Sequence, residues 1–403
     1  MVAPSFVRVT DSITHSWSRR NGPLYLAHCA GINRARDFIK SVEQVAADSI
    51  FCGLGQCNVV FGGQCSEISV GAMNQFAGSK CLVTGGLGFI GSNVALSLAA
   101  GGAQVRVLDA LIGQHGGDVR NIDPSVKGIS VTRGNIADEG TVSELLRDVD
   151  FVFNIAGQVS HHESMVDPLR DTEINVTAQL KFLETVRSFR PSAVVVHTST
   201  RQVYGTPQYL PVDEKHPTVP RDINGVNKLA GENYHRLYGT VHGLKTVALR
   251  LSNVFGPGQS LQKTGLGFLP VFMERSMKGL PIEVFGDGQQ MRDCLYVSDV
   301  VAALFSAAVQ ADAGSIAPGE VINLGHTEVL SLLQIAKIMV ERAGQNSAVS
   351  CVPWPEDLAR IDIGGFSGDY TKAHQLLKWN PQVSFSDGVD QTLDFYRRHS
   401  WYL

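Results

Sequence analysis

A doubly wound parallel α/β sheet is the fold this sequence predicts, and three observations predict it. Six short apolar runs recur between residues 81 and 251, helical segments fall between several of them, and a glycine turn follows the first. The runs are Cys81–Thr84, Val105–Leu108, Ile129–Thr132, Phe151–Ile155, Ala193–Thr198 and Thr246–Leu251. Strands buried on both faces read as unbroken apolar runs, because helices cover the two sides of a parallel sheet. Ile90 to Ala100, Val142 to Leu146 and Thr172 to Phe189 read as helices, the last with Ile174, Leu180, Leu183 and Val186 near one face. Such alternation implies right-handed crossovers.

After the first run, Thr84-Gly85-Gly86-Leu87-Gly88-Phe89-Ile90-Gly91 places glycines as Gly-x-x-Gly-x-x-Gly where a helix opens. Without side chains the backbone turns sharply and brings its N–H groups, and the positive end of the helix, onto a pyrophosphate. The strand–turn–helix context makes this a Rossmann-type dinucleotide site. Gly85, Gly88, Phe89, Ile90 and Gly91 are its cofactor-binding residues. Asp109 ends the second run, 24 residues after Gly85. A carboxylate there accepts from the adenosine ribose and repels a 2′-phosphate, so it favours NAD over NADP. Asn135 and Ile136, after the third run, are placed by the adenine. Ala156, Gly157 and Gln158, after the fourth, are placed along the middle of the cofactor.

Three parts are expected: an extension over 1–77, a dinucleotide domain over 78–252, and a smaller α+β substrate lobe over 253–403, with some segments returning to the first domain. Within the extension, Ala35 to Ala47 reads as an amphipathic helix and Ser49 to Gly55 as a strand entering a glycine turn. That unit loosely resembles the opening of a sugar-isomerase domain but is too short to be one. The first 20 residues faintly suggest a transit peptide, and Ser18-Arg19-Arg20 a twin-arginine signal, yet no clean apolar segment follows.

Composition narrows the function classes. The formal net charge is −4 and no basic run stands out, which argues against nucleic-acid binding. No apolar stretch reaches 18 residues, so no spanning helix is expected. The seven cysteines are spread thinly without zinc spacing, as reduced thiols in a cytoplasmic protein would be, and no metal is expected.

Further blocks run through the chain. They include Asn154-Ile155-Ala156-Gly157-Gln158, Asn175-Val176, Ser199-Thr200-Arg201-Gln202-Val203-Tyr204-Gly205 and Asn227-Lys228-Leu229-Ala230-Gly231-Glu232. Leu249 to Pro257, Gly286-Asp287-Gly288, Arg292-Asp293 and Trp379-Asn380-Pro381 complete the series. Over about residues 79–400 the chain resembles the NAD-dependent epimerase/dehydratase group of the extended short-chain dehydrogenase/reductase superfamily, which acts on nucleotide sugars. The resemblance implies that Thr200 hydrogen-bonds a sugar hydroxyl, that Lys228 holds the nicotinamide ribose, and that Asn175 stands on the cofactor side. It implies that Asn253 and Arg292 grip the diphosphate of a UDP- or dTDP-sugar, for which the guanidinium fork is suited. It also implies a homodimer paired through segments 171–189 and 226–239.

One position departs from the family. Members carry Tyr-x-x-x-Lys, the phenolate acting as base, whereas this chain has Asn224 four residues before Lys228. An amide neither takes nor gives a proton usefully near neutral pH, and loss of a positioned base costs about 10²- to 10⁴-fold. Ser160-His161-His162-Glu163-Ser164 follows the fourth run, and an imidazole titrates in the right range. His161 is the preferred replacement, with Glu163 as a group that could orient it. Three readings stay open: an epimerase with a relocated base, a reductase, dehydratase or decarboxylase of the same fold, and a binder without turnover.

Overall fold

Seven parallel strands form the central sheet, one more than the sequence indicated. The computed structural model describes residues 74–112, 117–262 and 267–403, all within one unit, Asn58–Leu403. The expected helix at 35–47 and strand at 49–55 lie outside the described residues.

In chain order the strands are β1 (Lys80–Thr84), β2 (Gln104–Asp109), β3 (Ile129–Arg133), β4 (Phe151–Asn154), β5 (Val194–Thr200) and β6 (Lys245–Leu251). Next come β7 (Asn253–Phe255), β8 (Ile282–Phe285), β9 (Met291–Arg292), β10 (Cys294–Tyr296), β11 (Glu320–Asn323), β12 (Leu330–Ser331) and β13 (Val349–Val352). The helices are α1 (Phe89–Ala100), α2 (Glu139–Leu145), α3 (His161–Val166), α4 (Pro168–Thr172), α5 (Ala178–Phe189) and α6 (Ile223–His242). They continue as α7 (Phe268–Lys278), α8 (Val297–Asp312), α9 (Leu332–Ala343), α10 (Glu356–Ile361), α11 (Thr371–Leu377) and α12 (Phe385–Arg398).

The sheet order is β11-β6-β5-β4-β1-β2-β3, with every neighbour parallel. Strand β11, from the C-terminal part of the chain, joins the sheet beside β6, and its short Glu320-Val321-Ile322-Asn323 run is the strand the sequence did not indicate. Successive strand residues point to opposite faces. Accordingly Val83 and Val196 pack with Val94, Leu304 and Phe305 on one side, while Leu82 and Val195 pack with Phe182, Leu183 and Tyr238 on the other. A separate core, with Phe255, Phe272, Ile335, Val389 and Tyr396, holds the C-terminal lobe.

Chain order reverses between β1 and β4, where a crevice opens beyond the carboxyl ends of the strands. Thr84 Oγ1 closes the base of that crevice: it donates to Asn154 Oδ1 (2.7 Å) and accepts from the N–H groups of Ile155 and Ala156. Asn154 Nδ2 in turn donates to Gln179 Oε1 on α5 (2.8 Å), locking both strand ends to a helix.

Candidate active site

The crevice is a cavity of about 380 Å³ lined from the ends of β1, β2, β4, β5 and β6. At one end the glycine turn is built as expected. Gly85 has φ +66°, and a Cβ there would stand 2.8 Å from the Ala156 backbone. A Cβ on Gly91 would fall 2.1 Å from Gly85 O, so the helix could not approach the turn. Helix α1 begins at Phe89 with no side chain capping it, which leaves its first N–H groups for an anion. Gly85, Gly88, Phe89, Ile90 and Gly91 all line the cavity.

Asp109 lines it too, while its carboxylate accepts from Leu87 N (3.0 Å) and Leu111 N (2.8 Å). It therefore fixes the glycine turn as well as facing the crevice. Asn135, Ile136, Ala156 and Gly157 are also on the wall. Gln158 and Asn175 stand behind it, buried and bonded to each other: Asn175 Oδ1 accepts from Gln158 N and Asn175 Nδ2 donates to Gln158 O. Asn175 belongs to a π turn, Glu173–Thr177, between α4 and α5. Such single-turn bulges are frequent at functional sites.

Lys228 comes from α6 and meets the cofactor side of the cavity where a Cβ on Gly157 would be 2.4 Å from its Nζ. Only glycine permits that approach. Burial pushes its ammonium down to about 8, with the buried carboxylate of Asp171 opposing the shift. Asp171 is a hub. It accepts from Asn175 Nδ2 (3.0 Å), Asn227 Nδ2 (2.9 Å) and Asn224 Nδ2 (2.9 Å).

Asn224 is thus held in place from behind. Its Nδ2 also faces Gln158 O (3.0 Å) and Gln158 Oε1 (2.9 Å), so three acceptors surround two protons. That surrounding fixes the amide's orientation, with Nδ2 turned to the three acceptors, and Asn224 is on the cavity lining. Here the side chain can accept a hydrogen bond from a hydroxyl but cannot remove its proton.

His161, the first residue of α3, is on the same wall. Its Nδ1 lies 3.1 Å from Asp222 Oδ2, within ion-pair range although off the line of a straight hydrogen bond. Glu163 was the partner the sequence suggested; the carboxylate that meets the ring is Asp222, the N-cap of α6. Burial acts to raise the Asp222 carboxyl, but the His161 contact and the Gly225 N–H outweigh it and hold it below its usual range. With Nδ1 turned to a carboxylate, Nε2 is the nitrogen free for proton transfer.

Thr200 lines the cavity at the end of β5, its Oγ1 accepting from Gln202 N (3.2 Å). Asn253 and Arg292 are not on the lining, although Ser252 and Val254 beside Asn253 are. Arg292 is buried and donates through Nη1 to Met291 O (2.8 Å) and Gly364 O (2.6 Å). Among the described residues no group of three or more His, Cys, Asp or Glu could hold a metal ion, and no helix is long and apolar enough to cross a membrane.

Residues 82–392 match the GDP-mannose 4,6-dehydratase family. The chain is 32% identical over 336 residues to a dTDP-glucose 4,6-dehydratase of Actinoplanes sp., covering 80% of this chain and 99% of the relative. Among solved structures it resembles a UDP-glucose 4-epimerase of Thermotoga maritima with UDP-glucose, at TM-score 0.71 and 30% identity, covering 80% and 99% of the two chains. It resembles equally a UDP-glucose 4-epimerase of Thermus thermophilus in complex with NAD, at TM-score 0.69 and 31% identity, covering 79% and 99%.

Proposed function

The chain belongs to the NAD-dependent epimerase/dehydratase family, and from that premise we propose that it is an NAD-dependent nucleotide-sugar epimerase whose base is His161 rather than a tyrosine. The residues fit the dinucleotide: a glycine turn against an uncapped helix, a carboxylate at the end of β2, and Lys228 approaching through Gly157. When bound, NAD supplies a hydride acceptor at the inner end of the cavity.

The observation that carries the proposal is His161 on the same lining as Asn224 and Lys228, its ring paired with the buried Asp222. Thr200 Oγ1 donates to the oxygen of the 4-hydroxyl of a UDP- or dTDP-sugar and so leaves that hydroxyl's one proton for His161. His161 Nε2 takes the hydroxyl proton, and Asp222 stabilises the imidazolium that forms. The buried Lys228 charge favours the oxyanion character developing at the sugar oxygen. After the ketone turns its other face, the hydride that the bound cofactor would give back and the proton returned by His161 would together form the epimer. Asn253 and Arg292 stand off the cavity lining and would reach the diphosphate once the Asp362–Gly364 segment that lies against Arg292 moves.

Elimination of water from the sugar would need a second acid and base beside the ring. The titratable groups on the described lining are Asp109, His161, Glu173, Lys181 and Lys228, and of these His161 is the one paired with a buried carboxylate, Asp222, as a single acid/base couple. We also propose a homodimer through α5 and α6. Val226, Leu237 and Val241 on α6 and Phe189 on α5 are exposed large apolar residues, and the three on α6 share one face. Light scattering at micromolar protein tests this, with a monomer contradicting it. The activity test incubates the purified protein with NAD and a panel of UDP- and dTDP-sugars, followed by proton NMR. Appearance of a C4 epimer is expected. A dehydrated 4-keto product, or no change in any sugar, contradicts the proposal.

A further inference from the structure

We infer that Arg201 binds an oxyanion of the substrate together with Arg292, which makes it a specificity-determining residue of this site. The inference rests on the reading above for the substrate being a glycosyl diphosphate, and extends it by naming the charge that Arg201 reads.

Arg201 directly follows Thr200 and opens a 3₁₀ turn, Arg201–Tyr204, at the end of β5. Its guanidinium lies over the Phe366 ring, 5.2 Å from the centroid. Nη1 is shut off from solvent and has no hydrogen-bond partner. Neither Arg201 nor Arg292 is on the cavity lining, and Arg292 shows the same condition. Its Nη1 is tied to two carbonyls and its Nη2 stands 3.8 Å from Asp362, but Nε is enclosed and unpaired. Asn253 Oδ1, on the strand beside Cys294, is also enclosed without a partner.

Buried N–H groups are nearly always satisfied in a folded chain, and a buried guanidinium left unpaired is costly. Here the charges oppose one another. Burial, and then Arg292, lowers Arg201 to about 9, while Asp293 and Asp362 compensate only in part. Asp293 is occupied elsewhere: it accepts from the Ser252 hydroxyl and from Gly368 N, and its own burial raises it to about 6. The cluster is therefore short of negative charge. An oxyanion answers both defects, since two guanidinium forks can donate to it without breaking the bonds that now orient Arg292. The short exposed segment holding α10, Asp362 and Gly364 lies against Arg292 and would shift to admit it.

Two parts of a sugar nucleotide carry that chemistry, the diphosphate itself and a carboxylate on the sugar ring, and titration calorimetry on the NAD-loaded protein separates them. The probes are UDP, UDP-glucose and UDP-glucuronic acid, against wild type, Arg201→Gln and Arg201→Lys. The expected result is a tenfold or greater loss of affinity in Arg201→Gln, with a smaller loss in Arg201→Lys, which keeps the charge without the fork. Loss confined to UDP-glucuronic acid assigns the carboxylate; equal loss for all three probes assigns the diphosphate. Unchanged affinities within twofold for every probe, in variants that melt as the wild type does, overturn the inference while leaving the proposed function standing. A wild type that binds none of the probes overturns the inference and restricts the proposed function to dTDP-sugars.

Discussion

Two buried arginine regions lie within a few residues of each other along β5 and β6 and differ in one respect. Arg250, on β6, donates to Glu232 through Nε (2.9 Å) and Nη2 (2.5 Å) and to the Tyr204 hydroxyl through Nη1 (2.7 Å). Glu232 also accepts from Ser199 (2.6 Å), and Tyr204 donates to Asn323 on β11 (2.7 Å). Burial alone would lower Arg250, but Glu232 more than offsets it and holds the group above its ordinary range. Arg201 and Arg292 are enclosed with N–H groups that have no partner, and both are held below that range, first by burial. The same side chain thus does two jobs. Where the chain supplies every partner, the charge ties β5, α6, β6 and β11 together. Where it does not, the missing partner points to a ligand.

The sharpest way to break this comparison is Glu232→Ala. Stranding Arg250 in the interior is expected to cost about 3–5 kcal/mol in urea unfolding; a loss below about 1 kcal/mol would show that the network is not structural. Next in size is Asn224→Ala, which removes the donor shared by Asp171 and Gln158. A loss of about 1–3 kcal/mol is expected from the acceptors left short, whereas an unchanged midpoint would mean that Asn224 is not part of the scaffold.

Lys228 belongs with the unsatisfied region and gives a pH test. Its folded-state pKa is about 8, against about 10.4 in an unfolded chain. Between those values the unfolded chain holds a proton that the folded one has released, so this group's destabilising effect is full below pH 8 and is relieved as pH rises towards 10. Binding runs the other way. NAD affinity measured by fluorescence should be about halved at pH 8 and about tenfold weaker at pH 9, if the charged lysine is what holds the ribose; a flat profile to pH 10 would contradict that. The smallest effect is expected from Arg201→Leu, which should change stability by less than about 1 kcal/mol or raise it, because an unpaired buried charge is removed. A loss like that of Glu232→Ala would place Arg201 with Arg250 after all.

Much of the cofactor half was legible because its physics is local. Glycines at fixed spacing, a carboxylate ending a strand, and apolar runs of four to six residues all declare themselves in one short window. Strand β5 was read as ending at Thr198, yet it pairs with β6 as far as Thr200↔Leu251. The two residues beyond the apolar run, Ser199 and Thr200, are polar and line the crevice, so no apolar signal marks them. The C-terminal lobe was opaque for a related reason: β9, β10 and β12 are two or three residues long. Asp222 was missed because it lies 61 residues from His161 in sequence. The available signal was its place two residues before Asn224, as the N-cap that aims α6. Arg201 stood inside a quoted block, but only the fold reveals that nothing pairs with its Nη1.

The most direct measurement compares wild type with His161→Gln, by proton NMR of sugar conversion and by NAD binding on the same preparations. With His161 as the base, conversion should fall about 10²- to 10⁴-fold while NAD affinity stays within twofold. Conversion at the wild-type rate in His161→Gln would contradict the account, because the proton would then have to leave the sugar by another route.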